Sequence, residues 1–133
     1  MSRIVLKFGG TSLGNIDKII NAAKIVKKKY EENNQVIVVV SAMAGVTNDL
    51  ISKSNQISKN FNDKELDVLL SSGEQVSCSL LCGALIDLGI RARSWLSWQI
   101  PIITNDNYNS SQIIKIKTEE ILNFISKKGV AVI

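Results

Sequence analysis

The sequence has no histidine, one proline, two cysteines, and only two tryptophans, two tyrosines and three phenylalanines. Without histidine there is no Ser-His-Asp or Cys-His nucleophilic machinery. Cys78 and Cys82 likewise lack the partners of a zinc site, and their spacing is not C-x-x-C. They lie one helical turn apart in an apolar stretch, so two buried free thiols in a reducing cytosol are expected. The aromatic residues are not interleaved with basic ones, which argues against a stacking platform for single-stranded nucleic acid. No apolar run reaches the roughly 18 residues that span a bilayer. The early run Ile4-Val5-Leu6 is cut by Lys7, so no secretory signal is expected.

What is present suits one folded domain. The chain has 133 residues, 45% of them hydrophobic, without a low-complexity tract. A chain of this length buries roughly two-thirds of its extended surface. The net charge is +4, and the excess lies early: Arg3, Lys7, Lys18, Lys24 and Lys27-Lys28-Lys29 face only Asp17 in the first thirty residues. The lysine run falls where a helix should end, and cations there complement the helix dipole. No nucleic-acid or membrane partner is therefore expected.

Strand and helix patterns alternate along the chain. Residues 3–8 read as a buried strand, followed by a glycine-rich turn. Asn15 is placed to cap a helix carrying Ile16, Ile19, Ile20, Ala23, Val26 and Tyr30 on one face. The β-branched run 36–40 reads as a central parallel strand covered on both faces. A second turn of small residues, 41–48, leads into a helix over 48–59. A long helical region spans 64–88 and stops at Gly89; its only charge between Val68 and Ile86 is Glu74. Ser71-Ser72-Gly73-Glu74 is expected to break it in two. Short strands at 90–96 and 102–104 flank Pro101, which marks an edge or bend. An extended piece at 113–116 and a helix over 119–128, capped by Gly129, precede a buried strand from residue 130. The chain stops inside that strand, so the rest of a larger domain is expected beyond it. The alternation predicts an α/β fold, a three-layer α/β/α sandwich with a mainly parallel sheet. Ligands in such folds bind at the C-terminal strand ends, where the turns 9–14 and 41–47 fall.

Lys7-Phe8-Gly9-Gly10-Thr11-Ser12-Leu13-Gly14 is the first candidate site. Adjacent glycines let a ligand approach the backbone, and a following helix N-terminus suits phosphate. Lys7 adds a cation. The stretch matches neither G-x-x-x-x-G-K-[ST] nor G-x-G-x-x-G. Read plainly it is also an ordinary βα turn. Glu74 is a lone carboxylate in an apolar segment and needs a partner such as an ammonium group. Ser71-x-x-Glu74 equally fits a capping box. Thr47 either caps the helix after it or faces a ligand. Ser41 is a ligand contact or a small packing residue. Trp95 and Trp98 are read as packing or interface residues.

At these residues a resemblance becomes specific. Lys7-Phe8-Gly9-Gly10-Thr11-Ser12 resembles the opening motif of the aspartokinases, within the amino acid kinase family. Val39-Val40-Ser41-Ala42-Met43-Ala44-Gly45-Val46-Thr47-Asn48 resembles their second glycine turn. Leu66-Asp67-Val68-Leu69-Leu70-Ser71-Ser72-Gly73-Glu74-Gln75 is similar to their helix with the substrate-binding glutamate. Trp98-Gln99-Ile100-Pro101-Ile102-Ile103-Thr104 and residues 129–133 follow in order. The resemblance covers essentially the whole chain and implies an amino acid kinase-like fold, incomplete here. Residues 1–133 would be the N-terminal part of the catalytic domain. The nucleotide-binding half and two regulatory domains would lie outside it.

The activity implied is ATP-dependent phosphorylation of the side-chain carboxylate of L-aspartate, the first step towards lysine, threonine and methionine. Lys7 would contact the transferring phosphates as the catalytic cation. Phe8, Gly9, Gly10 and Ser41 would complete the phosphate site, and Thr47 and Glu74 would bind aspartate. Mg2+ would arrive with the nucleotide rather than on a protein site. The chain by itself is expected to turn over little, to reside in the cytoplasm, and to form a homo-oligomer or associate with a C-terminal part. The alternatives are another amino acid kinase, acting on glutamate or a nucleoside monophosphate, and a non-catalytic remnant or subunit of a split enzyme.

Overall fold

The computed structural model describes residues 2–133. Its elements are β1 (Arg3–Phe8), α1 (Ile16–Glu31), β2 (Gln35–Val40), α2 (Val46–Ile57) and α3 (Asp63–Asp87), then β3 (Ala92–Ser94), β4 (Ile102–Thr104), β5 (Ile113–Ile116), α4 (Glu119–Ser126) and β6 (Val130–Val132). The main sheet has the order β1-β2-β6-β3, and every pair in it is parallel. β4 and β5 form a separate antiparallel ribbon.

The β-branched residues explain the layering. Alternate side chains of a strand face opposite sides of the sheet. Val36, Val38, Val130 and Val132, all fully buried, meet Leu13, Ile19, Val26, Leu81 and Leu85 from α1, α3 and the turn before α1. Ile37, Ala131 and Ile133 face the other way and meet Trp95, Ile100, Ile121 and Ile125. The chain is therefore an α/β fold of three layers. α1 and α3 lie on one face, and α4 with the segment leading to β4 lies on the other.

The helix ends obey local rules. The Asn15 side chain accepts from the Lys18 N–H at 2.9 Å, as its position predicts. Asn62 accepts in the same way from Lys64 N–H at 3.0 Å and starts α3. Gly89, at φ 79°, follows the end of α3 in the left-handed region that glycine tolerates. By length and composition alone α3 could cross a membrane. Its inner face instead carries core residues Cys78, Leu81, Cys82 and Leu85.

Several expectations are corrected. β1 is an edge strand, and Arg3, Val5 and Lys7 are exposed, because α4 covers the second face only over β2 and β6. A four-residue 3-10 turn, Gly10–Leu13, separates β1 from α1, so the glycines do not open directly onto the α1 N-terminus. α3 runs unbroken through 71–74. The Ser71 and Ser72 hydroxyls donate back to Val68 O and Leu69 O, at 2.8 and 2.7 Å, and cap nothing. α2 begins at Val46, behind Gly45 at φ 86°, so Thr47 lies inside its first turn and is not its cap. After α4 the left-handed residue is Lys128, at φ 56°, and not Gly129. Gly129 has another role: a Cβ there would clash with the Phe124 ring, which would have to move aside.

Candidate active site

The C-terminal ends of β1 and β2 release the two small-residue turns side by side. Ser41 N–H donates to Phe8 O and Ala44 N–H to Gly10 O, both at 3.1 Å. The turns approach so closely that a Cβ on Gly10 would lie 2.8 Å from Ala42 O. α3 closes on the second turn from its own side. A Cβ on Gly73 would lie 2.9 Å from the Ala42 Cβ. One turn of helix brings Ser77 beneath the same segment, where its hydroxyl donates to Ser41 O at 2.7 Å. The Glu74 carboxylate accepts the Ala42 N–H through Oε1 at 3.2 Å. Glu74 is thus held by a backbone donor and is exposed, which removes the need for a buried counter-charge.

A pocket of about 330 Å³ opens at this sheet edge. Ser71, Glu74, Gln75 and Cys78 of α3 form one side of it; Val39, Val40 and Ile133 line its floor, and Trp95 through Trp98 with Ile102 complete it. Of the residues singled out from the sequence as ligand contacts, Glu74 lines this pocket. Lys7 stands opposite Val39 in the β1–β2 register. Cross-strand partners project to the same face, so Lys7 shares a face with Val39 at the pocket floor, although it does not line the pocket itself. Phe8 lines a different cleft, of about 250 Å³, with Thr11, Ser12 and Lys18. Gly9 has open space around it, Ser41 lies outside the lining of this pocket with its carbonyl accepting from the Ser77 hydroxyl, and Thr47 is exposed on α2.

Trp95 is buried at 2% exposure and packs edge-on to Phe124 with ring centres 5.7 Å apart, as a packing residue should. Trp98 is 64% exposed and forms the pocket rim. Among the described residues no group of three or more His, Cys, Asp or Glu side chains could hold a metal ion.

Cys78 and Cys82 are both free and buried. Burial pushes the Cys78 thiol up to about 11; a backbone contact at Trp95 opposes this, and the neighbouring Cys82 adds to it. The Cys82 thiol is raised too, chiefly by burial. Because the thiolate is the reactive form, iodoacetamide at pH 8 should label the native chain roughly tenfold or more slowly than the urea-unfolded chain. A thiol raised on folding stabilises fully below its unfolded value and loses that contribution as pH climbs through its folded one. Thermal stability should accordingly fall between about pH 9 and 11, measured by circular dichroism.

Sequence reasoning passed over Ala42, Ser77, Gln75 and Ser97. The available signal was the pair of small residues Gly73 and Ser77, four apart in an apolar helix, which permits close backbone approach on one face.

The model of the amino acid kinase family matches residues 2–133. The aspartokinase of Rickettsia felis is 46% identical over 136 residues, a match that covers all of this chain and 34% of the relative. The crystal structure of aspartate kinase from Synechocystis superposes with a TM-score of 0.85 at 37% identity, covering 98% of this chain and 21% of that one. The structure of E. coli aspartokinase III, in complex with aspartate and ADP, shares the fold at a TM-score of 0.77 and 21% identity. The chain spans about a third of the length of the curated relatives it matches. It belongs to the amino acid kinase family, and within that family it is similar to aspartokinases.

Proposed function

We propose that residues 1–133 are the N-terminal part of an aspartokinase catalytic domain, and that the domain transfers the γ-phosphoryl group of ATP to the side-chain carboxylate of L-aspartate, giving 4-phospho-L-aspartate. The observation that carries this reading is the convergence of three elements at one sheet edge. The Gly10 turn, the Ser41–Ala42 turn and Glu74 on α3 are bonded to one another there, in a chain similar to aspartokinases over its whole length.

The chemistry asks little of the side chains. A carboxylate is ionised at neutral pH and attacks phosphorus without a general base. The bond formed joins a carboxylate oxygen to the γ-phosphorus; the bond broken is the one to the β–γ bridging oxygen, and ADP leaves with that electron pair. Catalysis then depends on positioning and on stabilising charge. Lys7 supplies a cation at the end of β1, with Phe8, Gly9, Gly10 and Ser41 lining the phosphates. Glu74 meets the ammonium group of aspartate, and Thr47 a carboxylate. Mg2+ would be held by the nucleotide phosphates. The product would enter lysine, threonine and methionine synthesis in the cytoplasm. The residues that complete the nucleotide site, and the regulatory domains, would belong to the two-thirds of the relatives' length outside the match.

A chimera tests the proposal. Residues 1–133 replace the matching segment of the Rickettsia felis aspartokinase. The chimera is expected to form ADP in an L-aspartate-dependent manner, with the 133-residue chain alone far slower. A chimera that folds by circular dichroism, binds ATP and yet shows no aspartate-dependent turnover would sink the reading and favour a non-catalytic subunit.

A further inference from the structure

We infer that Ser77, together with Gly73, is a positioning residue that fixes the orientation in which the Glu74 carboxylate is presented to a ligand. Ser77 is fully buried, and three carbonyls lie within reach of its hydroxyl: Ser41 O at 2.7 Å, and Gly73 O and Glu74 O at 3.3 Å. A hydroxyl has one proton to donate. The shortest contact takes it, so the bond runs from α3 across to the end of β2 rather than back along the helix. Ser41 O and Ala42 N belong to the same peptide unit. A peptide unit is planar. Holding its oxygen therefore orients its N–H, and that N–H is the donor to Glu74 Oε1 at 3.2 Å.

The peptides on either side of it are constrained too. Ser41 N–H is bonded to Phe8 O, and a Cβ on Gly10 would lie 2.8 Å from Ala42 O. Gly73 lets α3 come within contact of Ala42, which a side chain there would prevent. The next residue, Cys78, donates its thiol to Val132 O at 3.2 Å and anchors the same turn of α3 to β6. The result is a closed loop of contacts, Ser77 to the 41–42 peptide to Glu74 and back through one turn of helix. It engages Oε1 and leaves Oε2, among the described residues, without a protein donor at the pocket that Glu74 lines. The orientation of Glu74 is thus set by a hydroxyl that touches no ligand.

The test has two arms, of which only the second rests on the proposed function. In the 133-residue chain, the Ala42 amide proton is followed by NMR while Glu74 is titrated. In the wild type it should move with the carboxylate. In Ser77→Ala that response should be lost, with the thermal midpoint lowered only slightly. An Ala42 amide that tracks Glu74 equally in both proteins would overturn the inference. In the active chimera, Ser77→Ala should raise KM for L-aspartate by about five- to tenfold, the scale of one lost hydrogen bond, with kcat and KM for ATP little changed. A fall in apparent kcat with both KM values unchanged would mean that Ser77 is merely structural. A chimera inactive even with Ser77 in place would sink the proposed function and leave the NMR result to stand or fall alone.

Discussion

Lys7→Ala in the chimera is expected to reduce aspartate-dependent ADP formation by about a hundred- to a thousandfold, the usual loss when one preorganised charge-stabilising group is removed. The cost in stability should stay within about 0.5 kcal/mol. The two expectations separate because of where Lys7 sits. It is exposed at the open edge of the sheet, and among the described residues it forms no ion pair. Its neighbours Leu6 and Phe8 face the core, whereas Lys7 faces away from it. The fold therefore has no structural use for its ammonium group, and a cation left free at the C-terminal end of a strand is placed to meet an anion. Lys7→Arg is a sharper probe, since the planar guanidinium cannot reproduce a compact ammonium charge. It should recover only a small part of the rate. Measuring kcat together with the thermal midpoint decides the matter. A variant that loses activity in proportion to its stability would make Lys7 structural.

Gly10→Ala should destabilise the 133-residue chain by about 3 kcal/mol, the upper end of the usual cost of overpacking. The clash is with the backbone: the new Cβ would lie 2.8 Å from Ala42 O and 3.6 Å from Ala44 N. No side chain can rotate to relieve it, so the turns must separate, which strains the Ala44 N–H bond to Gly10 O. Because the adjoining 41–42 peptide holds Glu74, the damage should reach the candidate site, and aspartate-dependent turnover of the chimera should fall with stability. Gly9→Ala is the contrasting variant. A Cβ there meets nothing within 4 Å, so its thermal midpoint should stay close to that of the wild type. Equal destabilisation by the two substitutions would show that chain flexibility, rather than contact with Ala42, is what Gly10 provides.

Local signals carried much of the fold. The β-branched run 36–40 became a central strand because side chains apolar on both faces are stable only between two layers. Asn15 and Gly89 marked helix ends through interactions that reach no farther than one turn. Two of the expectations that failed depended on distant neighbours. β1 carries the apolar residues Ile4, Val5, Leu6 and Phe8, yet its exposure is set by the edge position it occupies. Ser71-Ser72-Gly73-Glu74 has the spacing of a capping box. It stays helical because Gly73 packs against Ala42, 31 residues away in the chain, and because Glu74 finds its donor there.

The candidate site divides in the same way. The sequence by itself determined the α/β alternation, the two turns of small residues, and Lys7 and Glu74 as charges with no local partner. Each of these follows from periodicity, glycine content or an isolated charge, and all are properties of a short segment. Only the tertiary structure decided that the two turns touch at Gly10 and Ala42, that Ser77 holds the 41–42 peptide, and that one oxygen of Glu74 is already engaged. Those facts require three segments far apart in the chain to meet within hydrogen-bond distance, and the parallel sheet, through its register and layering, brings them there.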